Sequence, residues 1–238
     1  MSDRSPTGLR RLYSHVDTGV SDAGFSVRLD GRTAVTPRAR QLVLPTAAAA
    51  DLIAAEWAAQ GNRIQLSNMP ATRLANTAID AVADAPEPTA AELGRYAGAD
   101  MLCYFADAPT ALRERQQQMW TPLLAWAREV HDLTFVTTTG IVHREQPAEM
   151  IGRVEVLGRN TDPFTLAGLV YGAGIFGSAV LVLALRDRRI TADEAMALSR
   201  LDEQFQEDTW GVDVEDAARV ATLAAEARLL SQWFDALA

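Results

Sequence analysis

Few residues in this chain stand where chemistry usually needs them. Gly172-Ala173-Gly174-Ile175-Phe176-Gly177 has the glycine spacing of dinucleotide-binding turns. There, small residues let backbone approach a pyrophosphate at a helix N-terminus. Such a turn also needs a second strand after the helix, ending in an acid that holds a ribose. Here LALRDRRITADEAM runs straight into another helix start. The glycines therefore predict close helix packing, with a nucleotide-binding oxidoreductase as the alternative. His15, His131 and His143 have no second His, Cys or carboxylate at metal-ligand spacing, so no metal is expected. Cys103 lies between Leu102 and Tyr104, the setting of a buried small hydrophobe rather than a nucleophile. Serine elbows and phosphate loops are absent. These patterns give no catalytic residue and no cofactor, and the chain reads as a non-enzyme.

Two polar constellations remain. Arg73, Asn76, Thr77 and Asp80 share one face of a predicted helix, while Leu74, Ala75, Ala78, Ile79 and Val82 share the other. Arg73, Asn76 and Asp80 at this spacing predict a structural polar network that fixes helix packing. Further on, Glu203, Gln206, Glu207 and Trp210 fall on one face, away from Leu198, Leu201 and Phe205. That face can be solvated surface, a carboxylate pair for acid–base work, or an acidic recognition patch anchored by a tryptophan. No nucleophile or cation-binding partner accompanies it.

The elements that would position these residues change character along the chain. Phe25, Val27 and Leu29 alternate with polar residues, Asp30-Gly31 marks a hairpin, and Arg32–Thr36 follows. Leu42–Leu44 predicts another strand, and Arg11–Val16 a first one. After Pro45 the pattern turns helical. Thr46 can cap a helix that Gly61 stops, and Thr89–Glu92 and Thr191–Glu194 have the capping-box pattern. Leu112–Asp132 predicts a long helix with Met119, Trp120, Leu123, Leu124, Trp126 and Ala127 inside. Phe135–Val142 is ambiguous between strand and helix entry. Glu194 lies in a helix that Gly211 is expected to end, and Ala217–Leu237 is the last helix. The fold class is α+β: a small β-rich N-terminal domain over residues 1–45, or to about 68 on the widest reading, then a mostly α-helical domain over 46–238.

Composition narrows the partners. The net charge is −9, and all 22 basic residues are Arg, dispersed along the chain. Acidic chains repel phosphate backbones, so no nucleic acid is expected. One cysteine excludes a disulfide framework and fits a reducing compartment. Thr165–Leu185 is long and apolar enough for a membrane span, but it holds several glycines and lies between amphipathic helices that need a shared core. A core helix is the expectation, and a single-pass membrane protein spanning 165–185 the alternative. MSDRSPTGLRR at the start has no apolar stretch of a secretory signal.

Several stretches in order resemble a known family. They are LDGR…TP…LVLPT at Leu29–Thr46, RLANTAID at Arg73–Asp80, RYAGADMLCY at Arg95–Tyr104, WTPLLAWA at Trp120–Ala127 and SRLDEQFQEDTWG at Ser199–Gly211. Together they are similar to the ATP-twelve family of ATP synthase assembly chaperones, which includes mitochondrial ATP synthase F₁ complex assembly factor two and bacterial relatives. The resemblance covers most of the chain. It implies a β-rich domain on a larger helical one, and a chaperone that binds the free α subunit of F₁-ATPase and keeps it soluble without ATP hydrolysis. It also implies a bacterial cytoplasmic protein, with the mitochondrial matrix as the place of its eukaryotic relatives. A monomer without membrane contact is expected. The tail after Gly211 is short, a departure from the eukaryotic relatives. On this reading Glu203, Gln206, Glu207 and Trp210 are the expected client-binding residues.

Overall fold

Asp30 and Gly31 both take positive φ, 50° and 79°. Two such residues make the tight turn whose twist matches the flanking strands. A computed structural model describes residues 9–211 and 214–238, without the side chains of 209, 210 and 214–216. In it β1 (Val16–Ser21), β2 (Gly24–Leu29) and β3 (Arg32–Thr33) form an antiparallel sheet in that order, and β4 (Val43–Leu44) also pairs with β2. The predicted hairpin is in place, with Leu29 opposite Arg32. The first strand lies later than Arg11–Val16, because Asp17 pairs across the ladder with Arg28 at 2.9 Å. Arg11 is drawn instead to the carbonyl of Gln60.

α1 (Ala47–Ala58) begins at the predicted cap, where the Thr46 hydroxyl accepts from the Ala49 N–H at 3.1 Å. It ends at Ala58 with Ala59 as its cap, short of Gly61. Its Ala49, Ala50 and Ile53 join Val27 and Leu44 of the sheet, and Leu42 beside it, in a core continuous with the helical part. α2 (Pro70–Thr77) runs into one π-helical turn at Ala78–Val82. α3 (Pro86–Gly98) starts a turn before the predicted Thr89 cap. Pro86 sits at the first helical position, where its missing N–H costs nothing.

β5 (Tyr104–Phe105) leads to α4 (Thr110–His131), which the left-handed Asp132 ends. Met119 of α4, expected inside, is 48% exposed. The ambiguous stretch after α4 holds β6 (Thr138–Thr139), parallel to β5. Then follow α5 (Ala148–Arg159), α6 (Pro163–Phe176), α7 (Ala179–Arg186), α8 (Ala192–Ser199), α9 (Leu201–Trp210) and α10 (Val214–Leu237).

α6 is the centre of the helical part. It packs against α2, α3, α7 and α10. Gly172 and Gly174 of the nucleotide-like pattern lie within this helix and Gly177 caps its end, so none stands at a strand–helix turn. A Cβ on Gly172 would collide with Val182 and Leu230, and one on Gly168 would stand 2.8 Å from Phe234. Small residues here let α7 and α10 approach, as the helix-packing reading predicts. Gly177, left-handed at φ 63°, ends α6, and the Ser178 hydroxyl caps α7 by accepting from the Leu181 N–H at 3.0 Å. The apolar run at 165–185 is thus two core helices. No described helix is long and apolar enough to cross a membrane.

Thr191 and Glu194 form the predicted capping box, with 3.2 and 2.7 Å bonds to each other's backbone N–H groups. The helix they open stops at Ser199 rather than Gly211. The Leu198 carbonyl accepts from the Trp120 indole N–H at 3.1 Å. That bond anchors the end of α8 on α4, and α9 leaves in a new direction after Arg200.

Candidate functional site

α9 is held by its inner face and by its acids. Leu201 is buried and Phe205 packs against the core. An Asp202 carboxylate oxygen accepts from the Gln116 side-chain amide at 2.7 Å, and the Gln116 carbonyl oxygen accepts from the Ala106 N–H, also at 2.7 Å. Gln116 is fully buried, so this relay ties α9 to α4 and the segment after β5. Arg115 bridges to Asp208 at 3.1 Å.

The four predicted client-binding residues divide. Glu203 and Gln206 are exposed on the outer face. Glu207 is half-buried and accepts from the Arg200 guanidinium at 2.8 Å. It therefore holds the α8–α9 joint, and its charge is already matched. The side chain of Trp210 lies outside the described residues. The face can attract cations and offer an amide for hydrogen bonding. Among the described residues, no group of His, Cys, Asp or Glu is arranged to hold a metal.

Arg73, Asn76 and Asp80 divide in the same way. Among the described hydrogen bonds, none joins the three. One Asp80 carboxylate oxygen accepts from the Thr36 hydroxyl at 2.6 Å and the other from the Arg38 N–H at 3.1 Å, fastening α2 to the N-terminal unit. Arg73 points to α6 and α10, 3.5 Å from the Tyr171 hydroxyl and 3.6 Å from Glu226. Burial, with the Glu226 charge adding, pushes the Tyr171 hydroxyl up to about 12. The Asn76 carbonyl oxygen is buried with no hydrogen-bond partner among the described residues. Asp80 lies in the π turn, whose wider spiral shifts it from the face that 3.6-residue spacing assigns it.

The model of the ATP12 chaperone protein family matches residues 10–128. A crystal structure of Atp12 from Paracoccus denitrificans is 37% identical, covers 97% of this chain and 99% of its own, and superposes with a TM-score of 0.89. The chain belongs to the ATP12 chaperone family. The Atu1473 protein of Agrobacterium tumefaciens is also similar, at 36% identity over 96% of this chain and 86% of its own, with a TM-score of 0.90. Mitochondrial protein atp12 of Schizosaccharomyces pombe is 23% identical over 89% of this chain and 76% of its own. The α+β architecture expected from the resemblance is the one this ATP12 chain adopts.

Two further acids of this ATP12 chain, the buried Asp100 and the half-buried Glu56, lie outside the patterns that spacing predicts. Asp100 is fully buried and accepts from the N–H groups of Leu102 at 3.1 Å and Val180 at 3.0 Å. Burial pushes its carboxyl up to about 6, although the bonds from Val180, Ser178 and Leu102 pull it down. Burial and the nearby Asp100 charge also push the Cys103 thiol up, which disfavours the thiolate. Glu56 of α1 accepts from the Ala71 and Thr72 N–H groups, both at 2.8 Å, and caps α2 from a distance. Burial raises its carboxyl above the usual range. One local sign existed for Glu56: Met69, before Pro70, has no side chain able to cap.

Proposed function

We propose that this protein is an ATP-independent assembly chaperone that holds the free α subunit of F₁-ATPase, in a bacterial cytoplasm, until the β subunit takes its place. The observation that carries this reading is the end-to-end likeness to Paracoccus Atp12, which leaves almost no part of either chain unmatched. An unassembled subunit exposes an interface far larger than the apolar patches that stay soluble alone. A protein that covers part of it with moderate affinity prevents aggregation and still yields to the true partner.

Glu203 and Gln206 form the client-facing surface in this proposal. Their exposure lets the carboxylate meet Arg or Lys on the client, which speeds encounter and rejects wrong partners. Glu207 serves the same surface indirectly by bracing Arg200. Trp210, on the last turn of α9, is assigned the apolar anchor. The test is a pull-down with isolated α and β subunits beside a light-scattering assay of α alone. Capture of α and not β, with slower aggregation that does not depend on ATP, is the expected result. Aggregation of α at an unchanged rate overturns the proposal.

A further inference from the structure

The backbone around β6 is used on one side only. The Val136 N–H donates to the Gln146 side-chain carbonyl, and the Val136 carbonyl accepts from the Gln146 amide, both at 2.8 Å. The Gly140 N–H donates to the Phe105 carbonyl at 2.8 Å, and Tyr104 and Phe105 lie opposite Thr138 and Thr139. Residues 136, 138 and 140 are thereby consumed by the fold. In an extended chain the residues between them turn their N–H and C=O groups the other way. Those are Phe135, Thr137 and Thr139, and among the described hydrogen bonds none uses their backbone. An open edge spaced every second residue results, over roughly 16 Å.

Natural sheets blunt such edges with Lys, Pro, a bulge or a covering segment. The stretch Phe-Val-Thr-Thr-Thr at 135–139 has no charge and no Pro. Its β-branched residues favour a strand. The edge borders a groove of about 560 Å³ between β6 and α4, floored by Phe105, Leu124 and Phe135. Just beyond the edge, Ile141 is 99% and Val142 77% exposed.

Charge says what fits. Among the described residues lining this groove Arg128 alone is charged, on a chain of net charge −9, and its nearest described acid is its exposed neighbour Glu129 at 3.8 Å. Residues 135–139 contain no carboxylate, so the edge of a second copy docked here would bring Arg128 no acid beyond its exposed neighbour Glu129. We propose that the β6 edge takes an extended segment of the client subunit as an added strand, with alternate apolar side chains on the groove floor and a carboxylate against Arg128. Main-chain bonds give such pairing its affinity, and the floor gives it register. This rests on the chaperone reading above and adds a second contact, of opposite charge, to the α9 face.

Thr139→Pro removes an N–H that the fold leaves unused, and edges tolerate proline. The expected result is about tenfold weaker binding of isolated F₁ α subunit at an unchanged melting temperature. Wild-type affinity overturns the proposal. A photo-cross-linker provides a readout without that backbone change. Cys103 is 1% exposed, so a benzophenone maleimide labels only a thiol introduced by Thr139→Cys or, separately, by Gln206→Cys. Illumination should join the label at 139 to α. Silence there with capture from 206 overturns the edge proposal and keeps the chaperone reading. Silence at both with an empty pull-down removes the chaperone reading as well. A product joining two copies of this chain overturns the client as occupant.

Discussion

Asp100 and Glu203 have the same chemistry in opposite surroundings. Asp100 is fully buried and both of its oxygens accept backbone N–H groups, one of them at the start of α7. Glu203 stands on the outer face of a helix whose neighbouring acids, Asp202, Glu207 and Asp208, all have partners within the protein. An acid that satisfies the fold's own donors is a stability residue, because its removal strands buried groups. An acid with no hydrogen bond or ion pair among the described residues is available to another chain. The comparison predicts that stability and client binding separate between these two sites.

The strongest way to break it is Asp100→Ala. Two buried N–H groups lose their acceptor, and unfolding free energy should fall by about 2 kcal/mol at pH 7. The loss should grow as the pH is lowered. The folded carboxyl titrates near 6 and the unfolded one near 3.8, so the folded state holds the proton more tightly. The stability this adds is fully present below about 4 and is lost as the pH rises through 6. Urea unfolding of wild type and variant at pH 4.5, 5.5 and 7 measures the difference. A gap that is constant across this range contradicts the burial argument.

Asp80→Ala sharpens the comparison at a second buried acid, with an expected cost of roughly 1.5 kcal/mol. A double-mutant cycle assigns its partner. Coupling with Thr36→Val and none with Arg73→Ala follows from the 2.6 Å bond to Thr36. Coupling with Arg73 instead would restore the single network that the helical spacing predicts.

Gly172→Ala separates packing from both acids. Alanine gains about 1 kcal/mol of helix propensity over glycine, and overpacking against Val182 and Leu230 costs roughly 1–3 kcal/mol. A net loss of about 1 kcal/mol in thermal or urea unfolding is expected. A stabilised variant would mean that α7 and α10 can move away, and that the glycine pattern needs another explanation.

What the sequence made legible was whatever depends on neighbours. The Asp30-Gly31 turn, the Thr46 cap and the Thr191–Glu194 box all close within a few residues, and all stand where predicted. The apolar run at 165–185 was legible as core because glycine inside it needs a close neighbour. Illegible features depend on partners far along the chain. Glu56 caps a helix that starts 14 residues later, and Asp100 one that lies across the core. The break at Arg200 depends on the Trp120 indole reaching Leu198, and no periodicity contains that bond. The π turn at Ala78–Val82 misled the reading of Asp80, since regular spacing assumes a regular helix. On α9 the spacing placed Glu203 and Gln206 on an open face, but the Arg200–Glu207 pairing was hidden because it forms across the break.

The smallest structural effect and the sharpest functional one should coincide at Glu203→Arg. The residue is exposed and its replacement strands no donor, so the melting temperature should stay within about 2 °C of wild type. Binding should respond in the opposite sense. A carboxylate that meets a cation on the client becomes a like charge, and affinity for the α subunit should drop about tenfold, mostly through slower association at low salt. Raising the salt should narrow the gap between variant and wild type, because exposed charges are screened over about 10 Å at 0.1 M. Glu207→Gln should behave differently, since the lost charge pairs with Arg200 inside the protein. Its melting temperature should fall while the salt dependence of binding stays nearly that of wild type. If the two variants exchange these signatures, Glu207 is the client contact and Glu203 is not, and the intramolecular pairing would have to open when the client arrives.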